Sequence, residues 1–424
     1  MAKIEIPYWK KNIEIEIPDK NLAGVLESKA KEYKVDKCQE EIVEEALDNP
    51  IDSPKLEELV KGKNNMVIIT SDHTRPVPSR ITMPILLRRI RKVNPNIDIK
   101  ILIATGFHRP STKEELIDKF GKEIVENENI VMHISLDKES MVRVGTLPSG
   151  GELYLNKLAM ETELLIAEGF IESHFFAGFS GGRKSILPGI AAAETIMANH
   201  CAEFIGSSHA RTGKLKDNPV HRDMLYAAES AKLAFILNVV LDENKKIICA
   251  VAGHSENAHK KGCEFVSSLC EVKKVECDIA ISTNGGYPLD QNIYQSVKGM
   301  TAAEATCKED GIIIMVAACN DGHGGESFYR NVSEAKSPKE LLDRIGKVPR
   351  NKTVPDQWEF QILCRILSKH KVIMVTDMCD PEIIKNMHMD HAYTFEEALN
   401  KAFNIKGNDA KVAVIPDGVS VIVK

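Results

Sequence analysis

Two rhythms of hydrophobic and polar positions run along the chain. In KIEIP and NIEIEIP apolar and charged residues alternate with period two around a short turn at residues 8–11. That pattern predicts an antiparallel hairpin over the first 17 residues. Ser53-Pro54 before KLEELV reads as a helix start, with serine as cap and proline in the first turn. From residue 65 the rhythm changes. Short β-branched runs (NMVIIT at 65–70, NIDIKILIAT at 96–105, LLIAEGF at 164–170) are each followed by a polar or Gly-rich loop. The stretches ILLRRIRKV, KEELIDKF and AAAETIMANH after those loops read as helices. ILNVVLD and KKIICAVAG (236–253) predict a second hairpin, and a helix is expected over about 257–270. A second strand–helix series starts at CDIAIST (277–283) and continues with GIIIMVAA (311–318) and KVIMVTD (371–377).

Strands that alternate with helices imply βαβ units and mostly parallel sheets. The fold class expected is α/β, with two domains, each a mostly parallel sheet flanked by helices. The expected domains are residues 1–272 and 273–410. The last strand candidate, KVAVIPD, lies in residues 411–424, whose domain is left open.

Composition narrows the function classes. A length of 424 residues fits two or three domains. The apolar fraction, 43%, is enough for packed cores and rules out general disorder. A net charge of −6 argues against nucleic acid or an anionic membrane as partner, and 5% aromatics argues against a base-stacking platform. No signal peptide is read at the start, and the longest apolar stretch falls far short of the roughly 20 residues of a membrane helix. The ten cysteines form no C-x-x-C pair and read as reduced thiols, so a cytoplasmic location is expected.

In open α/β sheets ligands bind beyond the carboxyl ends of the strands. The unusual residues of this chain fall there. Asp72, His73, Thr74 and Arg75 follow the first strand; Gly106, His108 and Arg109 follow the second. Glu172, His174 and FAGFSGGRKS (176–185) follow the third. Gly285, Gly286, Tyr294, Gln295 and Lys298 follow CDIAIST. Each has a plain alternative. Asp72 and Arg75 are also suited to a helix cap and a surface ion pair. His108 and His174 are also suited to loop hydrogen bonds, and His200 to a helix C-terminus. His388 and His391, three apart, have metal-chelating spacing if they share a helix face, or else mark a solvated helix end.

The segment from Gly178 to Ser185 nearly matches the phosphate loop G-x-x-x-x-G-K-[ST]. Arg183 replaces the last glycine, and Leu187-Pro188-Gly189 interrupts the helix such a loop needs, which argues against a nucleotide hydrolase. Gly181 and Gly182 remain candidates for cradling a phosphate with backbone N–H groups. Lys184, in a partly apolar loop, is suited to act as a nucleophilic amine that carries a covalent cofactor.

Together SDHTRP, GFHRPST, GFIESHFFAGFSGGRKSILPGIA and MANH resemble the nickel-dependent lactate racemase family, from about residue 65 to Lys298, with DQWEF (356–360) as further support. The resemblance implies an active site in the cleft between two α/β domains. It implies a nickel pincer nucleotide as cofactor (pyridinium-3-thioamide-5-thiocarboxylic acid mononucleotide nickel), attached covalently to Lys184 near Asp72. His200 then matches the nickel ligand, and imidazole suits that ion. His108 and His174 match the two acid–base groups. Arg75, Gln295 and Lys298 match the groups that hold the substrate carboxylate, with Tyr294 assigned to substrate binding and Trp358 expected to line the pocket. The activity implied is interconversion of D- and L-lactate by proton-coupled hydride transfer from C2 to the cofactor through bound pyruvate. The implied partners are a 2-hydroxy acid substrate and the enzymes that synthesise the cofactor. Two alternatives stand beside this reading: a racemase or epimerase of another 2-hydroxy acid (malate, a longer aliphatic or aromatic acid, a sugar acid), and a non-catalytic binding protein for a phosphorylated or carboxylated metabolite.

Overall fold

The computed structural model describes residues 1–424. It divides into two compact units. The first comprises Ala30–His200 and Ser207–Leu269; the second comprises Met1–Lys29, Cys201–Gly206 and Cys270–Lys424.

The first unit is built on a six-stranded sheet. Its strands lie in the order Ile247–Gly253, Phe235–Leu241, Leu165–Phe170, Asn65–Ser71, Asp98–Ala104, Asn129–Met132. All neighbours are parallel except the first pair, the hairpin expected from the sequence. Met66, Val67, Ile68 and Ile69 are all buried. A parallel strand covered on both faces therefore reads as a continuous apolar run rather than an alternation. Ile68, Ile101, Ile166 and Phe235 pack with Met83, Leu86 and Ile90 of the helix Ser79–Val93 in one core. The chain enters this sheet at Asn65–Ser71, builds outward through two strands, and then returns to the other side with Leu165–Phe170. The two neighbouring strands thus send their following loops in opposite directions. That crevice is the topological switch point, where doubly wound sheets bind ligands.

The second unit repeats the principle. Its sheet runs Asp390–Ala392, Lys371–Val375, Cys307–Val316, Cys277–Thr283, Val412–Ile415, Leu22–Val25, and every pair is parallel. Its switch point lies between Cys277–Thr283 and Val412–Ile415. There Asn284 bridges to Asp417, and the helix Ile293–Thr306 begins.

Several expectations are corrected here. Residues 1–29 do not join 30–272 in one domain. Leu22–Val25 pairs with Val412–Ile415, and the N-terminal hairpin packs Ile6, Ile15 and Ile17 into the second core with Ile279, Ile312 and Ile373. Each fully buried side chain of this kind contributes about 1.5–3 kcal/mol, enough to fix the hairpin's allegiance. Residues 411–424, left open before, also belong to the second unit. Ser53 caps nothing: its hydroxyl donates to the Pro54 carbonyl, and the helix starts later, at Leu56. His388 and His391 do not share a helix face. The helix ends at Asn386, His388 has φ 61°, and His391 lies on the strand Asp390–Ala392. Their Nε2 atoms meet the carbonyls of Val332, Ala335 and Thr376, so both are spent on backbone contacts. All ten cysteines are free thiols, and no helix is long and apolar enough to cross a membrane.

Candidate active site

The first switch point gathers most of the candidate chemistry. Asp72, immediately after Asn65–Ser71, is buried. Its Oδ1 accepts from the N–H and hydroxyl of Thr74 at 3.0 and 2.6 Å, and its Oδ2 lies 2.7 Å from Nδ1 of His108. Burial raises the Asp72 carboxyl, but the bonds from His108 and Thr74 outweigh it and hold the group below its ordinary value. A carboxylate only accepts, so Nδ1 of His108 carries a proton. In the neutral ring the lone pair is then on Nε2, the condition of a general base. The ion pair considered for Asp72 and Arg75 is not formed. Arg75 is exposed and makes no salt bridge. Its neighbours are tied down differently: His73 bonds Ser111 and faces Glu115, while Arg109 pairs with Glu115 at 2.5 Å.

His174 lies on the two-residue strand Ser173–His174, paired with Gly178–Phe179. The N–H groups of Phe176 and Ala177 point at its Nδ1 from 3.5 and 3.3 Å. Those groups only donate, so the proton of the neutral ring lies on Nε2. The Phe176 ring stands edge-on to His174 at 4.5 Å and to His200 at 5.3 Å, with the Lys184 ammonium 5.9 Å from its centre. One aromatic ring therefore joins His174, Lys184 and His200. The loop after the neighbouring strand closes on the same segment, because Gly106 N–H donates to the Gly189 carbonyl.

His200, at the end of the helix Ala193–Asn199, is buried. Burial first, and then the charge of Lys184, lower its pKa to about 4. Its Nδ1 lies 2.9 Å from the Ile196 carbonyl. That contact requires Nδ1–H and puts the lone pair of the neutral ring on Nε2. A backbone carbonyl on the far nitrogen is how metal-binding histidines are commonly oriented. A neutral, oriented imidazole beside a lysine fits a nickel-bearing group anchored on Lys184. No cluster of three or more His, Cys, Asp or Glu offers a competing metal site.

The phosphate cradle expected of Gly181 and Gly182 is corrected at Gly182, whose N–H already donates to Asn238 Oδ1 at 2.7 Å. Both have positive φ, and a Cβ would stand 2.7 Å from Asn238 Oδ1 at Gly181 and 2.7 Å from the His259 ring at Gly182. Glycine is needed here for close packing. Beneath the loop the fully buried Arg183 donates to the Ala177 carbonyl and to His221 Nδ1. The loop is thus fastened from below and holds Lys184 in place. Sequence reasoning missed Asn238 and Glu168. Glu168 is buried and accepts from the hydroxyls of Thr70, Ser79 and Thr82. A polar residue inside an apolar run (ILNVVLD, LLIAEGF) was the available signal.

The second switch point groups the remaining candidates. Tyr294, Gln295 and Lys298 lie on the first turns of the helix Ile293–Thr306, capped by Asn292. Lys298 Nζ donates to Gln295 Oε1 at 2.6 Å. The Tyr294 hydroxyl donates to Asp356 at 3.0 Å, just before the helix Gln357–Leu367 that carries Trp358. Burial, and then the charges of Glu359 and Asp356, push the Tyr294 phenol far up, so it remains a donor. Glu359 was not foreseen. It is buried, and its Oε1 has no hydrogen-bond partner. Burial raises its carboxyl to about 8 against the lowering effect of Lys298, with Asp356 adding to the rise.

Both units are doubly wound α/β sheets with ionisable and polar residues at their switch points, the architecture of small-molecule enzymes. Family models agree on something narrower. Residues 8–213 match the lactate racemase N-terminal domain and residues 272–423 match the lactate racemase C-terminal domain. The chain belongs to the lactate racemase family. It is 62% identical over 424 residues to the lactate racemase of Lactiplantibacillus plantarum and 60% identical over 424 residues to that of Thermoanaerobacterium thermosaccharolyticum, covering 100% of each chain in both cases. The solved structure of the apoprotein of the latter enzyme matches with a TM-score of 0.97 at 59% identity over 100% of both chains. A protein from Thermotoga maritima shares the fold, with a TM-score of 0.66 at 20% identity over 92% of this chain and 100% of its own.

Proposed function

We propose that this protein is an isomerase that interconverts D- and L-lactate. The observation that carries the reading is the His108–Asp72 pair at the same switch point as His174, Lys184 and His200. A binding protein has no use for a base oriented in this way. The similarity to two lactate racemases along their whole length supports lactate as the substrate.

Lys184 and His200 are the residues that would hold the nickel pincer nucleotide, through a covalent bond and through Nε2 respectively. When bound, that group supplies a metal and an electrophilic pyridinium carbon able to accept hydride from C2, leaving pyruvate in the site. The chain itself handles the hydroxyl proton. His108 takes it on Nε2, and Asp72 stabilises the resulting imidazolium through Nδ1. His174 performs the same transfer for the enantiomer whose hydroxyl lies on the other side, after its ring gives up the two long contacts to Nδ1. A flat carbonyl can then be reduced from either face, which is the racemisation. Arg75, with its planar fork, and Lys298, braced by Gln295, are the cations assigned to the carboxylate. Tyr294 and Trp358 are assigned to the substrate pocket.

The test is a panel of D- and L-2-hydroxy acids offered to enzyme matured with the cofactor-synthesis proteins. Lactate is expected to racemise fastest. A clear preference for malate or for a longer or aromatic acid would replace the substrate, and no turnover of any member would overturn the reading.

A further inference from the structure

The group that the proposed chemistry does not use is Glu359. It is 1% exposed, at the start of a helix that also carries Trp358, and one of its two oxygens has no hydrogen-bond partner. A buried carboxylate normally costs too much to keep without donors. The groups that face it are Lys298 and Tyr294, from the helix Ile293–Thr306, and Asp356 at the start of its own helix. Tyr294 is committed to Asp356. Of the charges on the other helices packed against Gln357–Leu367, Lys339 and Asp343 are exposed and the rest are engaged elsewhere. Glu203 pairs with Arg350, Glu326 with Arg330 and Glu304 with Arg365, while Arg344 and Glu340 act on Cys364. Lys298, held on Gln295 one helix away, is the cation whose charge bears on Glu359.

We propose that Glu359 is a positioning residue for Lys298: as a neutral acid it leaves the ammonium to the substrate carboxylate, and as a carboxylate it takes the ammonium for itself. This rests on the reading of Lys298 as a carboxylate-binding cation. Two anions then compete for one cation, and the internal one is always present at high effective concentration. Binding a 2-hydroxy acid requires Glu359 to hold its proton. Above the midpoint of its titration, one proton must be taken up for each substrate bound. The cost falls on binding rather than on turnover, because the enzyme saturated with substrate already has Glu359 protonated.

The experiment compares matured wild-type enzyme with Glu359→Gln and Glu359→Asp, using lactate at pH 7 and pH 9. With a midpoint near 8, the wild-type KM should rise roughly tenfold between the two. The rise should vanish in Glu359→Gln, which cannot ionise, and persist in Glu359→Asp, which can. The kcat ratio between the two pH values should be alike in all three. A purely structural carboxyl would move stability but not these ratios. An equal rise of KM in wild type and Glu359→Gln would overturn the inference. Difference infrared spectra of wild type minus Glu359→Gln provide a readout that needs no activity. A protonated-acid carbonyl band at pH 7 that disappears by pH 9 is expected, and its absence at pH 7 would overturn the inference. If the wild type turns over no 2-hydroxy acid yet shows that band, the functional reading fails while the neutral buried acid stands.

Discussion

The switch point of the first unit and that of the second are built alike and equipped differently. The first holds imidazoles and an amine: His108 on Asp72, His174, and the buried neutral His200 beside Lys184. The second holds a cation and fixed hydrogen-bonding groups: Lys298 on Gln295 and Tyr294 on Asp356, with the buried acid Glu359 behind them. In the proposed function the same topology serves reaction chemistry in one case and charge recognition in the other. The fold supplies a crevice, and the residues at the strand ends decide its use.

Substitutions can break this comparison. The largest effects are expected in the first unit at the residues assigned to the cofactor. Lys184→Ala and His200→Ala should reduce racemisation to background, and His200→Ala should also lose nickel in a metal analysis of matured protein. Nickel retained in His200→Ala would remove it as the ligand. Next come His108→Ala and His174→Ala, each expected to keep the metal and lose at least about 100-fold in kcat/KM, the scale of a missing acid–base group. The loss must be equal from D- and L-lactate, since mirror images have an equilibrium constant of one. An active His108→Ala enzyme would refute the base assignment.

In the second unit smaller losses, and losses of a different kind, are expected. Lys298→Ala removes a charged hydrogen bond worth about 1.5–3 kcal/mol, or roughly 10- to 150-fold, and the loss should appear mainly in KM with nickel content unchanged. Loss of nickel in that variant would mean the division of labour is wrong. Arg75→Lys keeps a charge without the fork and should cost about tenfold in kcat/KM. The smallest effect concerns stability. The raised Glu359 carboxyl holds its proton in the folded chain between roughly pH 4 and pH 8, where the unfolded chain has already released it. Stability should therefore fall as pH rises through that window, and thermal melts of Glu359→Gln should fall less than those of wild type. Parallel melting curves would mean Glu359 ionises normally.

The strands of both sheets are legible in the sequence because burial on two faces leaves unbroken runs such as MVII and IIIMV, bounded by polar loops. The candidates at their carboxyl ends are legible for the same reason. Pairings without a local signal are not. Nothing in LAGV says that it will lie beside Val412–Ile415, nearly the whole chain away. The helix Gln39–Asp48 went unread, with only Val43 and Leu47 of its residues buried. Gly181 and Gly182 looked like phosphate-binding residues, because close packing against Asn238 and His259 imposes the same glycine requirement as a nearby ligand. Asp72 and His108 lie 36 residues apart and meet because their strands are neighbours. Their contact follows from sheet order, which periodicity does not encode. Glu168 was open to detection as an acid inside the apolar run LLIAEGF.

The central claim is that His108 and His174 act on the hydroxyl proton and leave C2 to a hydride acceptor. Lactate carrying deuterium at C2 tests it most directly, racemised by matured enzyme in ordinary water. A proton removed from C2 by a histidine would exchange with solvent, whereas a hydride would not. The enantiomer formed is expected to retain most of its deuterium. Substantial loss of the label to water, without accumulation of free pyruvate, would mean that the histidines work on C2 itself and would contradict the roles assigned to them.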